Sequence, residues 1–230
     1  MTTSARIWLL AALIVAVLAF ALVTSATVAP GPSEATVATS LALTGTAEVQ
    51  GETGARRLTT GQHDLAAGDR VRILTGDAVM GLPGDGSLEL RAGPGPMDGS
   101  RVEIGPVPTL LGGDALLIAG RQEQVVEAGG ARLSLVDGAA RMFRSTGATF
   151  AVYTGRATLS SAGRTLDGGL PALRQVVVPD AGMLPLSPSS LRISDPPDPW
   201  DRRFLAEAIG LESILQQRSV GFTTQLQDVA

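Results

Sequence analysis

Few residues in this chain are able to do chemistry. His63 is the single histidine and cysteine is absent. A His–His metal pair, a Cys–His dyad, a thiolate metal site and a disulfide are therefore excluded. A Ser-His-Asp arrangement stays formally open. Yet Gln62-His63-Asp64 reads as a polar turn before Leu65, and no Gly-x-Ser-x-Gly nucleophile elbow accompanies it. Asp69, Asp77, Asp85, Glu89, Asp98 and Glu103 lie close enough in sequence to raise glycosidase chemistry or calcium binding. No Asp-x-Asp-x-Asp-Gly loop is present, however. Turn formation accounts for Asp77, Asp85 and Asp98, and a solvated strand face for Glu89 and Glu103. The glycine-rich pieces Gly81–Gly86, Gly112-Gly113-Asp114 and Gly168-Gly169 lack the following helix and lysine of a phosphate cradle, so they read as hairpin glycines. The sequence thus offers no catalytic residue, no metal ligand and no cofactor site.

The better functional candidate is a helical stripe. Trp200, Phe204, Ala208, Leu211 and Leu215 recur at the spacing of one helix face. Asp198 suits the cap, Pro199 the first helical position and Asp201 the positive end of the dipole. This predicts a helix over 199–218, stopped by Gly221, with a tail over 219–230. The stripe can close one end of a neighbouring domain, or it can bind a partner. Both readings stay open at this point.

What precedes the helix is β-textured. Short apolar or alternating runs extend from Ala42 to Val178, separated by Gly, Asp-Gly and Pro. Val71-Arg72-Ile73, Leu88-Glu89-Leu90 and Arg132-Leu133-Ser134-Leu135 alternate with the period of a half-buried strand. Asp85-Gly86 and Asp137-Gly138 sit between runs, where tight turns need positive φ. Paired runs such as Ala131–Val136 and Ala139–Arg144 are read as separate strands. The expectation is an all-β domain over 41–184, an antiparallel sandwich or barrel-like roll of about twelve short strands. Residues 185–198 are proline-rich and read as a linker.

The first 29 residues set the compartment. Arg6 is their only charged side chain, and the charge-free stretch Ile7–Ala29 is 23 residues long. As a helix it would reach roughly 34 Å, enough for a hydrocarbon core of about 30 Å. Arg6 on one side and Glu34 as the next charge keep the N-terminus cytoplasmic and send the rest out. A cleaved secretory signal, cut near Thr24-Ser25-Ala26, is the alternative. It would leave a secreted protein in the same compartment. Residues 30–40 read as a linker.

Composition closes off another class. All 18 basic residues are arginine, net charge is −4 and no arginine cluster exceeds a pair. Nucleic-acid binding needs a concentrated basic face with stacking aromatics, and five Phe, two Trp and one Tyr are too scattered.

Several motifs resemble the FecR-like domain family. They are Leu65-Ala66-Ala67-Gly68-Asp69-Arg70-Val71, then Gly76-Asp77-Ala78-Val79, and then Leu82-Pro83-Gly84-Asp85-Gly86-Ser87-Leu88-Glu89-Leu90. The later stretch Phe150–Leu159 is similar to that family's strand around its "F-x-V-x-x-G" pattern, and Asp198–Phe204 looks like the tail of actinobacterial membrane-anchored members. The resemblance implies an outer β-domain that senses a receptor while a cytoplasmic part controls a sigma factor. Only six residues precede Ile7, so this chain is expected to lack that sigma-binding part. The resulting expectation is a membrane-anchored extracytoplasmic binding or sensory domain without catalytic activity, recognising a protein or envelope ligand. The alternative is a structural subunit of an envelope or surface assembly, contacting partners through helix 199–218, with self-association open.

Overall fold

The computed structural model describes residues 39–95, 98–180, 183–184, 187–193 and 197–206. Among the described residues the chain is mostly β: twelve strands form one sheet, and helical residues 199–206 (α1) follow. In chain order the strands are β1 (Thr39–Gly51), β2 (Gly54–Leu65), β3 (Arg70–Gly81), β4 (Ser87–Arg91), β5 (Arg101–Glu103) and β6 (Thr109–Ala119). They continue as β7 (Gln124–Ala128), β8 (Ala131–Arg144), β9 (Gly147–Ser161), β10 (Arg164–Thr165), β11 (Arg174–Pro179) and β12 (Ser189–Ser190). Among the described residues no helix is long and apolar enough to cross a membrane. The segment Ile7–Ala29 lies outside them.

The long strands change partners half-way. β3 pairs β5 through Arg70–Arg72 and β4 through Asp77–Gly81. β6 pairs β5 and, in parallel, β7 near its start, then β4 and β8 towards its end. β8 pairs β7 with its first half and β6 with its second, while β9 pairs β11 early and β10 late. Two sets of short strands, β4/β11/β12 and β5/β7/β10, are therefore joined by long strands common to both. Strands pass from one layer to another at bulges and bends. The burial agrees: Leu41, Val71, Leu88, Leu110, Leu133 and Phe150 are at most 1% exposed and share one core with Val126 and Val178. No described helix covers that core, so the sheet covers itself.

The bends are built from facing glycines. Gly76 has φ +72°, and a Cβ there would lie 1.8 Å from the Thr44 carbonyl oxygen across the β1–β3 ladder. At the β8–β9 bend, a Cβ on Gly138 would meet the Thr154 carbonyl oxygen at 2.1 Å.

Several sequence readings are corrected here. Asp137-Gly138 is a bulge inside β8, with Asp137 at φ 53°, and is no hairpin turn. The paired runs around it are one strand, as are those in β3 and β9. Asp85-Gly86 does lie in the β3–β4 turn, closed by Leu82 N–H donating to the Gly86 carbonyl at 3.0 Å. Gly112-Gly113-Asp114 is strand interior in β6. Gln62-His63-Asp64 belongs to β2, an edge strand whose buried apolar side chains are Leu58 and Leu65.

Candidate functional site

Helix α1 docks on the sheet's outer face, opposite the main core. Leu116 of β6, Ala139 of β8 and Tyr153 of β9 form a second apolar cluster with Trp200 and Leu205, edged by Ile118, Leu191, Ile193 and Phe204. Two elements bring the helix there. The segment after β11 adds β12 to the sheet edge, and Leu191 N–H then donates to the Leu173 carbonyl at 3.0 Å. Asp198 starts the helix as expected: its Oδ1 accepts from the N–H groups of Trp200 at 2.9 Å and Asp201 at 3.0 Å.

The expected stripe is partly placed. Trp200 is buried, and Phe204 is half-buried with its ring stacked on Tyr153 at 5.3 Å between centroids. Ala208, Leu211 and Leu215 lie outside the described residues. Leu205, which the stripe omits, is buried at 3% exposure. The one-per-turn stripe passed over it because a helix pressed flat on a sheet buries a wider face.

An ion-pair network surrounds Trp200. Arg141 grips Asp114 with two bonds, Nε to Oδ1 at 2.9 Å and Nη2 to Oδ2 at 2.7 Å. Arg91 also donates to Asp114, and it bonds Asp198 Oδ2 at 3.2 Å. Arg141 reaches Asp198 as well, at 2.5 Å. The Arg91 guanidinium lies 4.1 Å from the centre of the Trp200 ring, a cation–π contact. Trp200 Nε1–H donates to Glu89 at 3.1 Å, and Arg203 pairs with the other Glu89 oxygen at 2.7 Å. Below them the Tyr153 hydroxyl donates to Asp201, a carboxylate at 1% exposure, at 2.7 Å.

These neighbours move the ionisation equilibria. Burial is the largest influence on Tyr153 and raises its hydroxyl above the ordinary tyrosine range, and the bond to Asp201 adds to that. For Arg141, burial pulls downward, but the bond to Asp114 and the charges of Asp114 and Asp198 outweigh it. Burial would raise the Asp198 carboxyl, yet the Asp201 N–H, Arg141 and Arg91 together hold it below the usual aspartate value.

The acidic residues weighed in the sequence do not form one group. Asp69 accepts from Ala66 N–H at 3.1 Å and pairs with Arg56 at 3.3 Å, while Glu103 pairs with Arg70 at 2.8 Å. Asp85 Oδ2 accepts from Arg121 N–H at 3.3 Å. Asp77 sits in strand β3, so the turn reading fails for it, and Glu89 lies under α1 instead of on a solvated face. Asp77 and Glu89 line one cleft of about 230 Å³ with Pro199 and Trp200, but Asp69 is elsewhere. His63 Nε2 lies 2.7 Å from the Thr59 carbonyl oxygen in the edge strand. Among the described residues no cluster of His, Cys, Asp and Glu could hold a metal.

A larger cavity, of about 530 Å³, opens beside the network. It is lined by Arg91, Arg101, Arg144, Asp98 and Phe143 with glycine and proline backbone. Sequence reasoning missed both the network and this cavity, since Arg91, Asp114 and Arg141 are single charges on separate strands.

No family model matches the chain, and no curated protein matches it. Two crystal structures of a candidate anti-sigma factor from Parabacteroides distasonis are similar over part of the sheet. One is 12% identical with a TM-score of 0.43, covering 53% of this chain and 59% of that one. The other is 12% identical with a TM-score of 0.38, covering 54% and 57%. This chain thus spans less than two thirds of either, and likenesses this distant carry no argument about its role.

Proposed function

We propose that this chain is a membrane-anchored extracytoplasmic β-domain that recognises a protein or envelope ligand and catalyses no reaction. The observation that carries the non-catalytic half is the network around Trp200. Its titratable groups are engaged by one another: Asp114 by two arginines, Asp201 by Tyr153, and Glu89 by Trp200 and Arg203. A general acid or base must exchange its proton with a substrate. Carboxylates locked to guanidinium groups hold a segment in place instead. The charge-free stretch Ile7–Ala29, with Arg6 before it, supports the anchor and the outward orientation.

Affinity capture of the intact protein from membranes tests this reading, with a co-purifying protein or envelope component as the expected result. Hydrolysis of peptidoglycan or another glycan, lost on substituting a single carboxylate, would overturn it.

A second reading makes helix 199–218 the contact within a larger assembly. Pinning of the helix start by Asp198, Trp200 and Asp201 favours it, because a fixed start orients the stripe. Leu211→Asp would then abolish co-purification without changing the melting temperature. Phe204→Asp, which disturbs the Tyr153 stack, would lower stability in either case.

A further inference from the structure

We infer that the 530 Å³ cavity beside α1 is the recognition site, and that it takes the terminal carboxylate of a peptide whose last side chain rests on Phe143. This rests on the proposal that the domain binds a ligand, and it names where and what kind. A cavity of that size falls within the range of about 300–1,000 Å³ usual for ligand sites.

The charges lining it are unequally engaged. Arg91 is bound to Asp114 and Asp198, and Asp114 is held by Arg141 as well. That set is closed. The Arg101 side chain makes no ion pair or hydrogen bond with any described residue, while its backbone pairs with β3 and β6. Arg144 pairs at 3.2 Å with Asp180, and because the Asp180 side chain is 56% exposed, that partner is solvated and can be exchanged for another anion. Against these two guanidinium groups stands one carboxylate, Asp98. The balance leaves room for a single negative charge. Guanidinium groups present the planar fork that matches a carboxylate.

Both arginines are held over glycine. A Cβ on Gly112 would come within 2.4 Å of the Arg101 guanidinium, and one on Gly129 within 2.4 Å of the Arg144 guanidinium. The bare backbone leaves room for each guanidinium to pack against it, and a side chain already positioned loses less entropy on binding. Phe143 gives the site its apolar side: it is 45% exposed although it stands on a strand. Thr149 of β9 sits opposite it in register, and beyond Thr149 stands Val177 of β11, which is 55% exposed.

The test uses the full-length protein in detergent micelles, with saturation-transfer NMR reading three probes: N-acetyl-phenylalanine, its uncharged amide, and a four-residue peptide ending in Phe. Both acids are expected to bind and the amide is not. Arg101→Gln and Arg144→Gln are each expected to weaken binding roughly tenfold, as for loss of one charge-assisted bond. Gly112→Ala keeps every charge but displaces the Arg101 side chain, and it is expected to weaken binding with the fold intact by circular dichroism. Tighter binding of the peptide than of the single residue supports a peptide end. Equal binding by the amide, or binding unchanged in all three variants, would overturn the inference. If the variants bind no probe differently but still capture a partner from membranes, this site is wrong and the proposed binding role stands.

Discussion

Asp114 is the residue on which the outer-face network turns. It accepts from both Arg91 and Arg141, and its side chain is only 11% exposed. Asp114→Asn would leave two partly buried guanidinium groups with Asp198 and the longer 3.8 Å contact from Arg141 to Asp201, at a cost of about 1–3 kcal/mol in urea unfolding. Asp198 gives the helix junction a pH dependence of known sign. Its carboxyl is depressed in the folded state, so its contribution is present above the ordinary aspartate value of about 4 and is lost as pH falls through the folded value. Tyr153 acts at the other end. Its hydroxyl is raised, so its contribution is full below about pH 10 and fades as pH rises through the folded value. With Trp8→Phe in the background, Trp200 is the sole indole and its fluorescence reports both limbs. Asp198→Asn should remove the acid limb and leave the alkaline one.

At the scale of elements the bends decide most. Gly76 and Gly163 share a positive φ, +72° and +73°, but a Cβ at Gly76 would strike the Thr44 carbonyl oxygen while one at Gly163 meets nothing within 4 Å. Gly163→Ala should cost about 1 kcal/mol from backbone strain alone. Gly76→Ala should cost at least twice that, since backbone must move, and thermal melts of the two variants separate these terms. The same bends explain what the sequence revealed and what it hid. Strands with clean alternation, such as Gln124–Ala128 and Ser87–Arg91, are legible because one face is buried. Gly76 and Asp137-Gly138 look like turns because positive φ serves a bulge as well as a hairpin, and only the partner strand distinguishes them. β2 is not legible in the sequence because an edge strand with two buried apolar residues has no hydrophobic period. For the helix site, Asp198, Pro199 and Trp200 announced a start in sequence. Their partners Glu89, Arg91, Asp114 and Arg141 could not be inferred, being brought close only by sheet register.

For the whole molecule, the two apolar clusters predict two different failures. Phe150 is fully buried in the main core, and Phe150→Ala should lose about 3–5 kcal/mol, lowering one cooperative transition for the entire sheet. Trp200→Ala should instead free α1 while the sheet keeps its far-ultraviolet circular dichroism, with protease cleavage near residue 198 as the measured sign. Failure of the sheet to persist in Trp200→Ala would make the helix part of the core proper.

The direction of the chain gives the α1 contact a place in time. Glu89, Arg91, Asp114, Arg141 and Tyr153 all precede Asp198, so each leaves the ribosome before the residues that engage it. The newborn sheet is complete through β11 while its outer arginines still wait for two aspartates and an indole. A product cut short before residue 198 would carry a sheet with an uncovered Tyr153 and Leu116, an apolar face of the kind that proteases and chaperones survey. Arrival of Asp198-Pro199-Trp200-Asp201 would then cover that face and pair its waiting charges.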